Sequence, residues 1–214
     1  MAQTETEDNL ARAKQCAQGC FESIRDEVYK LRVAEAEEND GDTDDYGLDD
    51  AYEGIAREAG YSLIIDNTKD GAVCRWRKDE VRRYKTDELL EPAVENQTVY
   101  DTDAEAWRAC CRENNLIPSI DDARQRLNEG AYGLAVRSGW YSPGETPEAE
   151  EYQITLAGGG PAVRLVGDLG QWNQPESARL QCQDWFTPWT DYYPEDSDAD
   201  AILLDYAHGF YFGD

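Results

Sequence analysis

Histidine occurs once in this sequence, at His208, and lysine only at Lys14, Lys30, Lys69, Lys78 and Lys85, beside fifteen arginines. For nucleophilic catalysis the chain offers no second histidine and no Gly-x-Ser-x-Gly elbow. His208 is flanked by Tyr206, Phe210 and Tyr211, and reads as a histidine packed among aromatics rather than a general base. Long hydrophobic runs are also lacking. No stretch approaches the roughly 20 apolar residues of a membrane span, mean hydropathy is −0.78, and the leading MAQTETEDNL has neither the basic nor the apolar region of a secretion leader. The expectation is a soluble cytoplasmic protein that engages no membrane.

Cysteine is scarce as well. Cys16, Cys20, Cys74, Cys110, Cys111 and Cys182 make up under 3% of the chain, far below a disulfide scaffold, and reduced thiols are the default without secretion. Cys16 and Cys20, four apart, share a helix face, and adjacent Cys110 and Cys111 point in different directions. Neither pair has the two-residue spacing of a zinc knuckle, so ordinary buried thiols are read ahead of a structural zinc, and no cofactor is expected.

Acid is abundant: 46 Asp and Glu stand against 20 Lys and Arg in 214 residues, a formal net charge of −26. Such a field repels DNA and anionic membranes and leaves neutral or basic partners. The 40% hydrophobic and 11% aromatic content still provides a core, which argues against wholesale disorder. The acids are uneven. From Glu35 to Ala56 there are ten acids and no base, and from Asp184 to Asp205 seven acids and no base. Between them, Arg75 to Lys85 carries six bases against Asp79 and Glu80.

Periodicity predicts an α+β fold: N-terminal helices, an antiparallel β-meander in the C-terminal half and a closing C-terminal helix. Leu10, Ala13, Ala17, Phe21, Ile24, Val28, Leu31 and Ala34 recur every three or four residues, marking a helix over residues 9–36. Asp49 or Asp50 is the expected cap of a short helix ending at Gly60. Tyr61 to Asp66 and Ala72 to Trp76 form a hairpin about Asp70-Gly71. Thr102 or Asp103 caps a helix with Ala106, Trp107, Cys110 and Cys111 inward, and Ser119 opens another that ends at Gly130. From Tyr132 the period becomes two, with strands at Leu134 to Ser138, Tyr152 to Leu156, Val163 to Gly167 and Ala178 to Trp185 separated by SPGETPE, GGGP and NQPES. Asp198 or Asp200 starts the closing helix, Ala201 to Phe210. Two regions, 1–130 and 131–214, or one single domain, both fit this order.

Several motifs are weak. Asp42, Asp44, Asp50 and Glu53 with Gly47 imitate a calcium loop, but Tyr46 and Asp49 occupy positions where the pattern departs, and a solvated acidic loop is the better reading. Gly158-Gly159-Gly160-Pro161 leads into a strand rather than a helix and lacks a following lysine, so it reads as a hairpin turn rather than a phosphate loop. Carboxylate pairs are too numerous to single out a catalytic one. Asp184 to Tyr193 holds five aromatics, read first as corner and core packing and second as an aromatic surface for a partner.

The blocks RSGWYSPGE at 137–145, ITLAGGGPAVRLVGDL at 154–169, QDWFTPWTDY at 183–192 and the ending HGFYFGD resemble a family of small acidic proteins of bacteriophages and mobile elements. The resemblance covers roughly residues 130–214 and brings no catalytic residues. It implies host takeover or defence evasion, as by anti-restriction or anti-CRISPR inhibitors that mimic DNA. B-DNA carries one charge per roughly 1.7 Å of axis, so 26 charges match roughly 44 Å, or about 13 base pairs. The expectation is a non-enzymatic inhibitor of a basic, nucleic-acid-binding host complex, with no direct nucleic acid contact. Its partner-binding residues are expected at Glu37, Glu38, Asp40, Asp42, Asp44, Asp45, Asp49, Asp50, Asp191, Glu195, Asp196, Asp198 and Asp200. The alternatives are an acidic accessory or high-salt protein without mimicry, and an enzyme with a carboxylate-held metal. The basic segment either neutralises the acidic loop within one chain or meets a second copy in a homodimer.

Overall fold

A computed structural model describes residues 2–38, 48–68, 71–78, 81–82, 89–91, 96, 98–145 and 147–213. Helices and antiparallel sheets segregate along the chain, an α+β architecture. Helix α1 is Ala2–Glu38, longer at both ends than periodicity alone predicts, followed by α2 Asp49–Glu58, the hairpin β1 Tyr61–Thr68 and β2 Gly71–Lys78, and the short pair β3 Val81–Arg82 and β4 Leu89–Glu91. Next come α3 Asp103–Glu113 and α4 Ile120–Glu129. Strands β5 Gly133–Arg137, β6 Glu151–Ala157, β7 Ala162–Asp168, β8 Arg179–Gln183 and β9 Thr190–Tyr192 precede α5 Ala199–His208. Strands β3, β4 and β9 carry too few residues to show a period and were not anticipated.

The chain divides into two compact units, residues 1–28 with 121–214, and residues 29–120. The chain thus crosses from one unit to the other between residues 28 and 29 and between residues 120 and 121. In the first unit, β5 to β9 form a five-stranded antiparallel meander in sequential order. Such a sheet has one face to bury, and its registry sets Ile154, Leu165 and Leu180 opposite one another there. Those residues are buried together with Ala13, Ala17, Phe21 and Ile24 of α1, Ala123 and Leu127 of α4, and Ile202, Leu203 and Tyr206 of α5. The apolar stripe of α1 from Ala13 to Ile24 and the buried side of α4 thus serve the core of this unit. The other face alternates outward in β6 and β7.

The second unit packs Val33, Tyr52, Ile55, Tyr61, Trp76, Trp107, Cys110 and Cys111 into one cluster. Hairpin β1–β2 runs in register from Tyr61 opposite Lys78 to Thr68 opposite Gly71. The expected cap of α3 is present, with Thr102 Oγ1 accepting from the Glu105 N–H at 3.2 Å. At α2 the cap is Leu48, and Asp49 instead stands in the first turn. All six cysteines carry free thiols. Burial, with the neighbouring Cys111 and Glu113, pushes the Cys110 thiol up to about 12, and burial with Glu37 does the same at Cys111. Cys20 rises to about 11 through burial and its helix-face neighbour Cys16. Among the described residues no helix is long and apolar enough to cross a membrane.

Truncating Leu165, fully buried at the centre of the sheet, to alanine is expected to cost about 2–5 kcal/mol. Urea unfolding of Leu165→Ala followed by circular dichroism measures this directly.

Candidate interaction surface

Both units are strongly acidic in their own right: the first has 23 acids against 8 bases, net −15, and the second 23 against 12, net −11. The scarce arginines are spent on particular carboxylates, and this divides the expected partner-binding acids into two groups. Glu37 accepts from Arg112 at 2.8 Å and from the Tyr52 hydroxyl at 2.6 Å. Asp49 accepts from Arg108 Nε and Nη2 at 3.0 and 2.7 Å. Asp191 accepts from Gln181 at 2.7 Å. Asp196 accepts from the Asp198 N–H at 2.9 Å and lies 4.0 Å from Arg25. These four carboxylates are committed within the fold.

Glu38, Asp50, Glu195 and Asp200 are exposed and have no ion-pair partner among the described residues, and Asp198 is exposed beside the Ser197 hydroxyl. Asp40, Asp42, Asp44 and Asp45, and with them the first half of the calcium-loop pattern, lie outside the described residues. Glu53, the last position of that pattern, is bridged to Arg57. No cluster of three or more potential metal ligands occurs among the described residues.

The basic segment is only partly described. Arg75 pairs across the hairpin with Asp66 at 2.7 Å, Arg77 donates to Ser62 at 3.2 Å, and Lys78 lies 5.9 Å from the Tyr61 ring centre.

The aromatic run departs most from expectation. Trp185, Phe186 and Tyr193 are 63%, 93% and 78% exposed rather than packed in a core. The turn that carries the first two is firmly built. Asp184, itself buried, accepts from the Trp185 N–H through Oδ1 at 2.7 Å, and its Oδ2 sits 3.1 Å from the Arg12 guanidinium. Thr187 closes the turn, its Oγ1 accepting from the Asp184 N–H and donating to the Asp184 carbonyl at 2.9 and 2.8 Å. From α1, Asn9 donates to the Trp185 carbonyl at 2.9 Å. A side chain on Gly160, in the β6–β7 turn, would stand 2.4 Å from the Trp185 indole nitrogen, so this glycine makes room for the ring. Phe186 adopts a left-handed backbone, φ 64°, a conformation that costs a bulky residue about 1–2 kcal/mol.

A second exposed aromatic, Trp172, has φ 62° in the β7–β8 turn. The meander puts that turn at the other end of the sheet from Phe186. Trp140 and Tyr141, beyond the end of β5, are also exposed. These positions were missed because alternation reports on burial within strands and says nothing of turns. The available signal was an aromatic beside a turn residue, as in Gly139-Trp140 and Gly170-Gln171-Trp172.

Elsewhere the aromatics do pack. Trp189 lies under the Arg164 guanidinium, 4.1 Å from its ring centre. Arg164 donates to Gln181 at 3.0 Å and Gln153 at 2.8 Å on the sheet's outer face. Burial, then the charge of Arg137, lowers the Arg164 proton affinity. Tyr192 donates to Gln18 of α1. His208 is exposed, while Tyr206 and Phe210 pack on each other at 5.1 Å, so the expected aromatic shell around the histidine is not formed.

The chain matches no family model, no curated protein and no solved structure.

Two outcomes follow. Burial opposes ionisation of Glu37, but hydrogen bonds from Arg112 and Tyr52 and the nearby arginine charges outweigh it and hold the carboxyl below its ordinary 4.5. A lowered value means that its stabilising contribution is complete above pH 4.5 and is lost as pH falls through the folded value. The stability difference between wild type and Glu37→Gln, from urea titrations at pH 7 down to pH 3, is expected to shrink over that window. Phe186→Asn should raise stability by about 0.5–1 kcal/mol, because asparagine tolerates the left-handed backbone and the exposed ring gives up no packing. A thermal melt with a higher midpoint is the expected reading.

Proposed function

We propose that this protein is a non-catalytic inhibitor of phage or mobile-element origin that occupies the nucleic-acid groove of a host defence complex, restriction or CRISPR, by imitating the charge of a short duplex. The single observation that carries the reading is the turn at Asp184 to Thr187 and its surroundings. It presents Trp185 and Phe186 to solvent at the start of a run of seven acids and no base. Aromatic anchors rimmed by charge are the composition of protein interfaces, where Trp and Tyr supply most of the binding energy.

An acidic coat that served only solubility or high-salt life would have no use for a strained phenylalanine clamped into water. Strain of this kind is retained where a partner uses the geometry. The acids would act at longer range, steering a Lys- and Arg-lined groove toward the protein, with rapid association that weakens as salt is added. Of the expected acids that are described, Glu38, Asp50, Glu195, Asp198 and Asp200 keep their side chains available for that task, whereas Glu37, Asp49, Asp191 and Asp196 are engaged within the fold.

The test is competition. Purified restriction and CRISPR complexes are loaded with labelled duplex at low salt, and the protein is titrated in. Displacement that fades as salt rises is the expected result, and undiminished DNA binding across several such systems rejects the reading. Reversing Glu195, Asp198 or Asp200 to lysine should weaken inhibition by about 1.5- to 5-fold each, the weight of a single exposed charge pair. Phe186→Asn should weaken it more than any one reversal while the protein becomes more stable.

A further inference from the structure

We propose that β5 is a self-association edge: two copies of the chain pair β5 against β5, antiparallel, and join their five-stranded sheets into one. Among the described residues, strand β5 is hydrogen-bonded to β6 on one side and to no strand on the other. All five of its residues are exposed, including Leu134 at 43% and Val136 at 47%, which share the face that is buried in β6 and β7. An unpaired edge offers a row of backbone donors and acceptors, and proteins that stay single blunt such edges with proline, charge, short length or a bulge.

The two ends of this sheet are treated differently. Strand β9 has three residues, between Pro188 and Pro194. Strand β5 has five, no proline, no irregularity in its pairing with β6, and Arg137 as its only charge. That arginine is bridged to Glu151 at 2.6 Å.

Charge selects a second copy as the occupant. A chain of net −26 repels itself wherever acids are presented. From Gly130 to Gly144 there is no acid and one base, so β5 itself sets no carboxylate against its copy. Glu151 beside it is bridged to Arg137, and Glu150 at Gly139 and Glu145 at Ser142 lie beyond the Arg137 end of the strand. A two-fold axis through Ala135 sets Leu134 opposite Val136 of the second copy and Gly133 opposite Arg137, giving apolar pairs on one face and no like charges in register. Exposed aromatics supply the remaining area. Tyr132 precedes the strand, Trp140 and Tyr141 follow it, and all three are exposed. At about 150–250 Å² per aromatic they, with Leu134 and Val136, approach the roughly 800 Å² that each side of a standard interface buries.

Sedimentation equilibrium of the full chain, at about 0.05 M and about 0.5 M NaCl, tests the proposal and separates it from inhibitor binding. Pairing through an acid-free apolar edge should tighten as salt screens the repulsion of the two chains, whereas capture of a basic groove should weaken. The expected result is twice the 24.2 kDa chain mass, favoured at high salt. Val136→Glu and Leu134→Glu should each weaken dimerisation by at least about tenfold, since either sets an acid against an apolar partner. A monomer at both salt levels overturns the proposal, as does a dimer that persists in either variant when circular dichroism shows it folded. Hydrogen exchange on the unmodified chain requires no variant: β5 amides should slow as concentration rises, and unchanged exchange at β5 in a dimer overturns the assignment.

Discussion

Self-repulsion among 46 acids is the force the folded chain works against, and with only 20 bases to offset it, each arginine matters by where it stands. Arg12 meets the buried Asp184, Arg108 meets Asp49, Arg112 meets Glu37 and Arg75 meets Asp66. These pairs remove repulsion at points where the chain has to fold back on itself, at a helix start, a turn or a hairpin. Most are partly exposed, and pairs of that kind contribute modestly to stability. Their larger effect is positional. They decide which carboxylates are consumed by the fold and which remain outside it. Cohesion itself comes from the apolar cluster of the second unit and from the buried face of the sheet in the first.

That division gives the surface its character. With four of the scarce arginines used in this way, each unit remains net acidic, and its described surface is interrupted by aromatics in turns and by a strand edge that carries no acid of its own. Exposed aromatics on an acidic protein are costly to leave in water, and the costs at Phe186 and Trp172 are compounded by left-handed backbones. Packing does not account for either, which makes them the positions where the fold yields to interaction. The sheet itself is asymmetric in the same way. Its outer face is closed over by a polar ladder through Gln153, Arg164, Gln181 and the Trp189 ring, and its β9 edge is short and proline-flanked, while the β5 edge is neither.

Much of the architecture was legible before any coordinates. Alternation at Tyr152 to Leu156 and Val163 to Gly167 located β6 and β7, the spacing of Ala13, Ala17, Phe21 and Ile24 located α1, and Thr102 marked the start of α3. The signals failed where length or context removed the pattern. Strand β9 has three residues. The aromatic run from Asp184 to Tyr193 looked like corner packing because aromatics usually pack, and its Trp189 and Tyr192 do. Only the turn closed by Asp184 and Thr187 sends Trp185 and Phe186 the other way. Of the expected partner acids, sequence could count charges but had no means of telling which would find an arginine.

By itself, then, the sequence determined the net charge, the helical and extended periods, the single histidine, and the meander order of the C-terminal strands. These follow from composition and from the fixed repeats of helix and strand, which are local. Tertiary structure decided which acids stay exposed, that the first 28 residues join the C-terminal sheet's unit rather than the helices that follow, and that β5 is left as an open edge. Each of those outcomes depends on contacts between residues far apart in the chain, such as Arg12 with Asp184 and Arg112 with Glu37, and no local pattern encodes a contact of that range.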